Sequence, residues 1–516
     1  MKVLTPEISW HAKEAVFSIA VQPSLPKQPR RLATAGLDNN VRIWQFKDGE
    51  VKFLSNLSRH DRAVNIVRFA NSGLFLASAG DDGNIFIWKL SEKEEAPNIF
   101  DNEGQNVETW CTVKVLRGHL EDVNDLSWSK DDRYLVSGSV DHTAILWDME
   151  KGQKMSIFND AKHFVHGVAL DPQGAYVATM SCDRALRIYS IQSKKMVHCV
   201  SKMNQPCSSK EQSKDGQTQK MQRIFHDETV VRRRLSFTCD GKLLITPAGC
   251  LQVEDEKDKQ NTQQINTVML FGRNMLSKPC ACLPNLKQPA SIVSCCPTLF
   301  TLRQGGNGKA LPFKLNYRNV FAIATNEDVL VYDTQHLSPF AMASNIHYAS
   351  ITDLSWSPDG KFLCVSSRDG FCSIMQFDDG EIGEVYKPSK SEEVLDDNKT
   401  NDQDKSINNK ENIVCTSEGK SSTTIETEKE EAMDVVISEK ESAAQNNEID
   451  TNTKTISTSD VKPRRVTLTK VQEPQQTTTE IFAKSAESPK APILKVASTN
   501  KSAPRRIQLT PVATQE

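Results

Sequence analysis

Histidine, aspartate and serine recur at fixed spacings in the first 380 residues, and they are the side chains best suited to chemistry. His119, Ser137 and Asp141 are the residue types of a hydrolase triad, in which a histidine takes a proton from a serine nucleophile and a carboxylate orients the histidine. The pattern is repeated, however. Five aspartates stand six residues before a strand-closing aromatic residue or Met, each with a histidine 20 to 27 residues upstream: Asp38, Asp82, Asp141, Asp183 and Asp369, preceded by His11, His60, His119, His163 and His347. Such recurrence favours a buried polar network that fixes turn geometry over a catalytic site.

The cysteines and a glycine-rich stretch do not predict a bound group. Cys280, Cys282, Cys295 and Cys296 give C-x-C and C-C spacings, which are not those of tetrahedral zinc, so we expect them to act as small apolar residues in strands. GGNGKA (305–310) lacks the leading glycine and the Ser/Thr after its lysine that a phosphate-binding loop requires. The sequence thus predicts no metal, no cofactor and no enzyme activity. Thirteen cysteines without a CxxC or a compact framework predict reduced thiols in cytosol or nucleus.

An internal repeat of about 40 residues supplies the elements that hold these side chains. Five segments align without gaps, and each reads as a strand, a tight turn and a second strand with alternating apolar residues. They are RRLATAGLDNNVRIWQF (30–46), LFLASAGDDGNIFIWKL (74–90), RYLVSGSVDHTAILWDM (133–149), AYVATMSCDRALRIYSI (175–191) and KFLCVSSRDGFCSIMQF (361–377). Two weaker units are RRRLSFTCDGKLLITPAG (232–249) with NTVMLF (266–271), and SIVSCCPTLFTLR (291–303) with NVFAIATNEDVLVYDT (319–334). The sequence therefore predicts seven units.

The repeats resemble the WD40 family, most completely at RGHLEDVNDLSWSKDDRYLVSGSVDHTAILWDM. The resemblance implies an all-β fold, a seven-bladed WD40 β-propeller over residues 1–378. It also implies that four residues of one blade form a buried hydrogen-bonded set: His119, Ser137, Asp141 and Trp147. The last blade departs from the pattern with Val365 and Met375 in place of the hydroxyl residue and the tryptophan, so we expect its set to be incomplete.

Two further expectations concern the edges of the propeller. The N-terminal KVLTPEIS has no repeat of its own and is predicted to add the outer strand of the last blade, which would remove an open edge. The polar insertions are predicted to be surface loops, at 92–110, 201–222, 251–264 and 304–316.

The charge pattern separates a balanced body from a charged tail. The whole chain has a formal net charge of −3, yet residues 381–460 carry 20 acidic and 9 basic residues, whereas residues 461–516 carry 4 acidic and 10 basic ones. After residue 380 the only aromatic residues are Tyr386 and Phe482, too few for a core. We therefore predict a long disordered C-terminal tail, with an acidic spacer at 379–460 and a basic segment at 461–516. No apolar run approaches the roughly 20 residues of a membrane helix, so no membrane partner is expected.

The basic segment contains one pattern twice, PRRVTLTKV (463–471) and PRRIQLTPV (504–512). In each copy two arginines precede alternating apolar and polar residues, which is a strand pattern without a sheet. A lone strand is unstable in water because its backbone groups lack partners, so the pattern predicts pairing with the exposed strand of another protein. Arg505 and Arg506 would meet carboxylates, and Ile507 and Leu509 would fill apolar pockets. The alternative is a nuclear-import signal or general attraction to phosphate.

The segments LDNNVRIW, RGHLEDV, KGQKMSIFN, SCDRALRIY and LSFTCDGKLLITPAG resemble the family of the middle, WD40-containing subunit of chromatin assembly factor 1, and the tail motifs are similar to the B-domain-like segment of Hir-type histone chaperone subunits. The resemblance implies a nuclear, non-catalytic scaffold that helps to assemble histones H3–H4 on newly replicated or repaired DNA. The implied partners are the large subunit and the histone-binding WD40 subunit of that factor, an anti-silencing-function type chaperone, and H3–H4 indirectly. The matching positions are Arg505, Arg506, Ile507, Leu509, Thr510, Pro511 and Val512, and less fully Arg464, Arg465, Val466 and Leu468.

Two other functions are open to a WD40 protein. The first is a substrate receptor of a cullin-type ubiquitin ligase, which predicts a W-D-x-R adaptor motif. The strand-closing segments lack that arginine: they read Trp147-Asp148-Met149-Glu150, Trp44-Gln45-Phe46-Lys47 and Trp88-Lys89-Leu90-Ser91. The second is direct nucleic-acid binding through the basic end, where dispersed charge without interleaved aromatics predicts weak, salt-sensitive contact at most.

Overall fold

The structure is a computed structural model that describes residues 1–387 apart from 24–29, 48–49, 92–105, 205–220, 228, 231, 255–261, 304–311 and 337. Within these residues the regular elements are strands, arranged in seven four-stranded antiparallel sheets and one two-stranded hairpin. The seven sheets are the blades of a β-propeller, which confirms the predicted fold class and blade number.

The chain begins with the short strand β1 (Lys2–Leu4), and four blades then follow one another, each running from its innermost to its outermost strand in sequence order. Blade 1 comprises β2 (Val16–Val21), β3 (Arg31–Gly36), β4 (Val41–Lys47) and β5 (Glu50–Leu57). Blade 2 comprises β6 (Val64–Phe69), β7 (Phe75–Gly80), β8 (Asn84–Leu90) and β9 (Trp110–Arg117). Blade 3 comprises β10 (Val123–Trp128), β11 (Tyr134–Ser139), β12 (Ala144–Asp148) and β13 (Gln153–Phe158). Blade 4 comprises β14 (Val165–Leu170), β15 (Tyr176–Ser181), β16 (Ala185–Ser190) and β17 (Met196–Val200).

The last three blades are less regular in length, and a hairpin of β18 (Lys202–Asn204) and β19 (Met221–Arg223) precedes them. Blade 5 comprises β20 (Ser236–Phe237), β21 (Leu243–Glu254), β22 (Thr262–Gly272) and β23 (Ala281–Leu286). Blade 6 comprises β24 (Ile292–Thr301), β25 (Tyr317–Ala324), β26 (Asp328–Asp333) and β27 (Ala341–Ser344). Blade 7 comprises β28 (Ile351–Trp356), β29 (Phe362–Ser367) and β30 (Cys372–Gln376), and its outer strand is β1.

The N-terminal strand closes the ring as predicted. Val3 of β1 stands opposite Met375 of β30 in an antiparallel pair, so the first and last parts of the propeller share one sheet. This pairing gives blade 7 its fourth strand and covers an edge that would otherwise expose unpaired backbone groups.

The hydrophobic core lies between adjacent blades. Inner strands such as β6 and β10 are buried on both faces because a neighbouring sheet covers each side, so they do not show the clean alternation of a half-exposed strand. Outer strands such as β17 are largely exposed. Neighbouring inner strands run parallel and in step: the backbone N–H groups of Ile19 and Val21 donate to Asp353 and Ser355 on the preceding blade.

The structure corrects some predicted loops and boundaries. The predicted insertion at 251–264 is partly strand, because β21 and β22 continue as a long hairpin beyond the blade. The insertion at 201–222 likewise contains β18 and the start of β19. At the other end the contacts of the propeller continue past 378: Ile382 is buried in the core of blades 6 and 7, and the backbone N–H of Tyr386 donates to Leu299 O at 2.8 Å.

Candidate functional site

Blade 3 carries a chain of hydrogen bonds through four buried or nearly buried side chains. His119 Nδ1 lies 2.9 Å from Asp141 Oδ2, and His119 Nε2 lies 2.7 Å from Ser137 Oγ. The indole N–H of Trp147 donates to the same Ser137 oxygen at 2.9 Å. Because His119 precedes β10, Ser137 lies in β11, Asp141 in the following turn and Trp147 in β12, the network ties the loop before the blade to its two central strands.

Blades 1 and 2 repeat this network atom for atom, with distances between 2.7 and 2.9 Å. The blade 1 set is His11, Thr34, Asp38 and Trp44, and the blade 2 set is His60, Ser78, Asp82 and Trp88. Threonine replaces serine in blade 1 without changing the pattern because only the hydroxyl takes part.

A single neutral histidine tautomer satisfies every atom of the blade 3 network. The Nδ1–H of His119 donates to Asp141, the Ser137 hydroxyl donates to Nε2, and the Ser137 oxygen accepts the Trp147 N–H. Ser137 is 0% exposed. Its hydroxyl is therefore not presented to a substrate, and the set shares only its residue types with a catalytic triad.

The electrostatics match this assignment. Burial raises the pKa of the Asp141 carboxyl, but hydrogen bonds from His119 and Thr143 outweigh burial and hold this pKa well below its ordinary value. The pKa of Asp82 is lowered by the same balance, with His60 as the main donor. In blade 1, burial lowers the pKa of His11, which keeps that imidazole neutral. An ionised carboxylate thus receives a charge-assisted hydrogen bond from a neutral ring.

Each aspartate also closes its own turn. Asp141 Oδ1 accepts the backbone N–H of Thr143 at 2.9 Å, and Oδ2 accepts that of Leu120 at 3.1 Å. His142, between the two halves of this turn, has a left-handed φ of 68°. The carboxylate therefore holds a tight hairpin turn and the loop before the blade together.

Blade 4 uses an arginine where blades 1, 2, 3 and 7 use a histidine. The spacing pattern groups Asp183 with His163, but the carboxylate accepts hydrogen bonds from Arg187 and Ser181 and from the backbone N–H of Lys162. His163 Nδ1 instead accepts the backbone N–H of Phe164 at 2.9 Å. The predicted pairing is therefore wrong for this blade: the connection is two residues shorter than in blades 2 and 3, and the guanidinium reaches the carboxylate with two nitrogens.

Blade 7 has the incomplete set expected from its sequence. His347 Nδ1 lies 3.0 Å from Asp369 Oδ2, which also accepts the Tyr348 N–H at 2.9 Å. Val365 and Met375 stand where the hydroxyl residue and the tryptophan would be, and both are 0% exposed. His347 Nε2 is consequently buried without a hydrogen-bond partner among the described residues.

A second polar cluster lies in the central channel and was not anticipated from the sequence. Asp353 on β28 is 0% exposed and accepts hydrogen bonds from Ser18 at 2.6 Å and from both terminal nitrogens of Arg68 at 2.7 and 3.0 Å. Arg234 Nη1 lies 2.8 Å from the same carboxylate, and its Nε lies 3.6 Å from Asp125 on β10. Residues from blades 1, 2, 3, 5 and 7 thus meet at the axis, and we call Arg68, Asp125, Arg234 and Asp353 the channel cluster.

The charges of the channel cluster are unequally matched. Burial raises the pKa of Asp353, but the charges of Arg234 and Arg68 outweigh it and hold this pKa below its ordinary value. For Asp125 burial prevails and raises the pKa, because Arg234 is farther away and Arg68 contributes only at a distance. On the side of the cluster where the inner strands end, the channel opens into a cavity of about 320 Å³ that Trp128 and Trp356 help to line.

One sequence signal could have located these carboxylates. Blades 3 and 7 share the inner-strand tetrapeptide DLSW, at 125–128 and 353–356. In both copies the aspartate and serine accept backbone N–H groups of the next blade: Asp125 and Ser127 bind Val168 and Leu170 at 2.9 and 3.0 Å. The repeat therefore marks an inter-blade junction. The arginines facing it come from distant positions, and no local pattern indicates them.

The part of the chain that the structure describes also bears on metal binding, the cysteines and membrane-spanning helices. Among the described residues, no group of three or more His, Cys, Asp or Glu side chains is placed to hold a metal ion. Cys296 is buried and Cys282 and Cys295 pack against core clusters, whereas Cys280 is exposed, so the small apolar role expected for all four does not suit Cys280. None of the described segments forms a helix of membrane-crossing length and apolarity.

Residues 1–382 match the family model of the CAF1B/HIR1 beta-propeller domain, which spans all seven blades. The chain belongs to this family. It is 46% identical over 401 residues to the B subunit of chromatin assembly factor 1 from Gallus gallus, a match that covers 74% of this chain and 69% of the relative. It is 33% identical over 437 residues to the Saccharomyces cerevisiae protein of the same name, covering 76% and 89%. The Kluyveromyces lactis protein HIR1 is 27% identical over 414 residues, covering 75% and 44%.

The family match covers the propeller but not the predicted partner-binding motifs. The two tail motifs, 463–471 and 504–512, lie outside the described residues. Their arginines and apolar residues therefore stay predictions from the sequence.

Proposed function

We propose that the chain is a non-catalytic scaffold subunit of a nuclear histone chaperone complex that assembles histones H3–H4 onto newly replicated or repaired DNA. The supporting observation is the match of residues 1–382 to the CAF1B/HIR1 propeller, together with relatives named as the B subunit of chromatin assembly factor 1. In this proposal the propeller docks onto the large subunit of the complex, near the histone-binding WD40 subunit. The buried position of the Ser137 hydroxyl is compatible with a binding role for the blades.

The C-terminal motifs are proposed to recruit an anti-silencing-function type histone chaperone. The duplicated frame of two arginines followed by alternating residues supports strand addition to that partner, with Arg505 and Arg506 on carboxylates and Ile507 in an apolar pocket. The spacer acts as a tether. In this proposal a flexible chain of roughly 117 residues, from 387 to 504, would have an end-to-end distance of about 60 Å, which lets a loaded chaperone reach neighbouring subunits at raised effective concentration.

Mutation of the second motif in the full chain tests this proposal. We expect Arg505→Ala/Arg506→Ala/Ile507→Ala to abolish capture of the purified chaperone, while the propeller still binds the large subunit. The same three changes at Arg464, Arg465 and Val466 should have a smaller effect because Lys470 replaces the proline of the second copy.

Two matched variants separate strand pairing from general attraction to basic charge. Ile507→Ala alone keeps every positive charge and should weaken capture about tenfold or more, since it empties an apolar pocket. Arg505→Lys/Arg506→Lys also keeps the charge but loses the planar bidentate contact, so it too should weaken capture. Full capture by both variants would contradict strand pairing and favour the import-signal interpretation.

A further inference from the structure

The upper half of the channel is crossed by arginine side chains, of which Arg232 is partly exposed. We define the upper mouth as the end where the inner strands begin and the lower mouth as the end where they finish. Arg232 lies just before the inner strand of blade 5, yet its Nη1 donates to Phe17 O of blade 1 at 2.9 Å and to Thr352 O of blade 7 at 2.8 Å. Arg234 crosses below it and donates to the same Thr352 oxygen at 3.0 Å. Two guanidinium groups therefore meet at one carbonyl oxygen.

Only one of these two guanidinium groups has a carboxylate. Arg234 is bound to Asp353, whereas Arg232 forms no ion pair with any residue that the structure describes. Its remaining contact is with an aromatic ring, the guanidinium carbon lying 5.5 Å from the centroid of Phe17. The channel wall thus holds three arginines, Arg68, Arg232 and Arg234, against two aspartates, Asp125 and Asp353, and the surplus is one positive charge at its upper end.

The groups around Arg232 do not supply the missing negative charge. Residues 232–234 pass directly against β14, where a Cβ on Gly167 would lie 1.9 Å from Arg233 O. His166 is next to that contact, and its pKa is lowered to about 4 by burial and by the charges of Arg233 and Arg232. Burial and the charge of Arg234 likewise lower the pKa of Arg232 to about 9, and Arg368 adds to the repulsion. The attraction of Asp353 and Asp125, which already pair with Arg68 and Arg234, does not offset these effects.

The rim of the upper mouth is mixed in charge. Arg368 of blade 7 is exposed. The acidic groups Asp81, Glu121 and Asp122 stand on blades 2 and 3, where burial and mutual repulsion outweigh the charge of Arg62 and raise the pKa of Asp122. An anion would therefore approach Arg232 from the side of blade 7 rather than from blades 2 and 3.

From this geometry we propose that Arg232 is the floor of a binding site for one carboxylate group, an aspartate or glutamate side chain of a partner protein that enters the upper mouth. One carboxylate equals the surplus charge, whereas a phosphate would bring up to two negative charges to a single free guanidinium edge. The described chain itself leaves at the opposite end, because Tyr386 bonds Leu299 near the end of β24. The proposal stands independently of the tail motifs and of the identity of the complex.

The test uses His166 as a local reporter in the full-length chain, whose histidines carry a 13C label for NMR. The other nine of its ten histidines serve as internal controls for folding, and His166→Gln identifies the signal. The probes are a Gly-Gly-Glu-Gly peptide with an acetylated N-terminus and an amidated C-terminus, which carries one carboxylate, its Gly-Gly-Gln-Gly counterpart with the same ends, which carries none, and inorganic phosphate at the same ionic strength. We expect the glutamate peptide alone to shift the His166 signal and to raise its pKa, because a nearby anion stabilises the protonated ring.

Variants of Arg232 locate the effect. Arg232→Gln should weaken binding of the glutamate peptide about ten- to hundredfold, as loss of a charge-assisted contact does. Arg232→Lys keeps the charge and should retain part of the affinity, which shows that a folding defect is not responsible. Arg133→Gln removes an exposed arginine outside the channel and should bind like the unchanged chain.

Any of four results would overturn the proposal. The first two are equal His166 shifts with the glutamate and glutamine peptides, and tighter binding of phosphate than of the glutamate peptide. The other two are unchanged binding by Arg232→Gln, and the absence of any His166 shift at millimolar peptide.

Discussion

Blades 3 and 7 share an inner-strand tetrapeptide and keep the same 22-residue distance between histidine and aspartate, yet only blade 3 completes its network. Both aspartates hold their turns alike: Asp141 and Asp369 each accept two backbone N–H groups at 2.9 to 3.1 Å. The difference lies in the second strand of each blade, where blade 7 has Val365 at the position of Ser137 in blade 3. The turn therefore needs the carboxylate, whereas the hydroxyl serves to satisfy the buried ring nitrogens.

Blade 7 folds without the hydroxyl because apolar packing takes its place. Val365 and Met375 are fully buried in one cluster with Leu354 and Trp356, and β1 adds a fourth strand from the N-terminus. The cost is one orphaned ring nitrogen on His347. A buried unsatisfied nitrogen costs about 1–3 kcal/mol, which the packing of this blade offsets.

The DLSW aspartates of the two blades also differ in their ion pairs, since Asp353 binds two arginines closely and Asp125 binds one at 3.6 Å. Mutation of these aspartates should give the largest change in the free energy of unfolding. Asp353→Asn removes the counter-charge of both Arg68 and Arg234, so we expect the free energy of unfolding to fall by about 3–5 kcal/mol. Asp125→Asn keeps an oxygen for the Val168 N–H and loses only a 3.6 Å ion pair, so about 1 kcal/mol is expected. Urea denaturation midpoints of the full chain measure both. Equal losses of stability would show that the shared position in the DLSW strand, rather than the ion pairs of the channel cluster, determines how much each aspartate contributes.

The hydroxyl of blade 3 should give the next largest effect. Ser137→Ala leaves the ring nitrogen of His119 and the indole N–H of Trp147 buried without partners, and we expect a loss of about 2–4 kcal/mol in the same denaturation experiment. Ser156→Ala on the outer strand of this blade is the matched control and should change stability by less than about 0.5 kcal/mol. Similar values for the two serines would mean that the network adds nothing to the blade.

The reciprocal change in blade 7 should give the smallest effect and the opposite sign. Val365→Thr keeps the shape of the side chain and places a hydroxyl near His347 Nε2, so we expect stability to rise by up to about 1 kcal/mol. Val177→Thr, at another fully buried valine, offers its hydroxyl no such acceptor and should cost about 1–3 kcal/mol. If both threonines destabilise the protein equally, the new hydroxyl in blade 7 does not form a hydrogen bond with His347 Nε2.

The sequence by itself determined the repeating part of this protein. Strand alternation, turn residues and the histidine–aspartate spacing lie within about 40 residues of one another, and they indicated seven sheets and the incomplete set of blade 7. The closing role of the N-terminal strand was predicted because that segment has no repeat of its own and an open edge needs a partner. Asp183 and Arg187 have the same four-residue spacing as Asp38 and Arg42 of blade 1, but only the structure shows that both arginines bind their aspartates. The presence of His163, 20 residues before Asp183, favoured the histidine instead.

Only the tertiary structure decided the contents of the channel. Asp353 meets Ser18 and Arg68 across 335 and 285 residues of sequence, and Arg232 reaches Thr352 across 120. No local sequence pattern predicts such contacts, because the contacting side chains belong to different repeats and come together only when the ring closes. The physical reason is that strand pairing is satisfied within each blade, whereas charge is balanced only around the whole ring, and among the described residues it leaves Arg232 without a carboxylate.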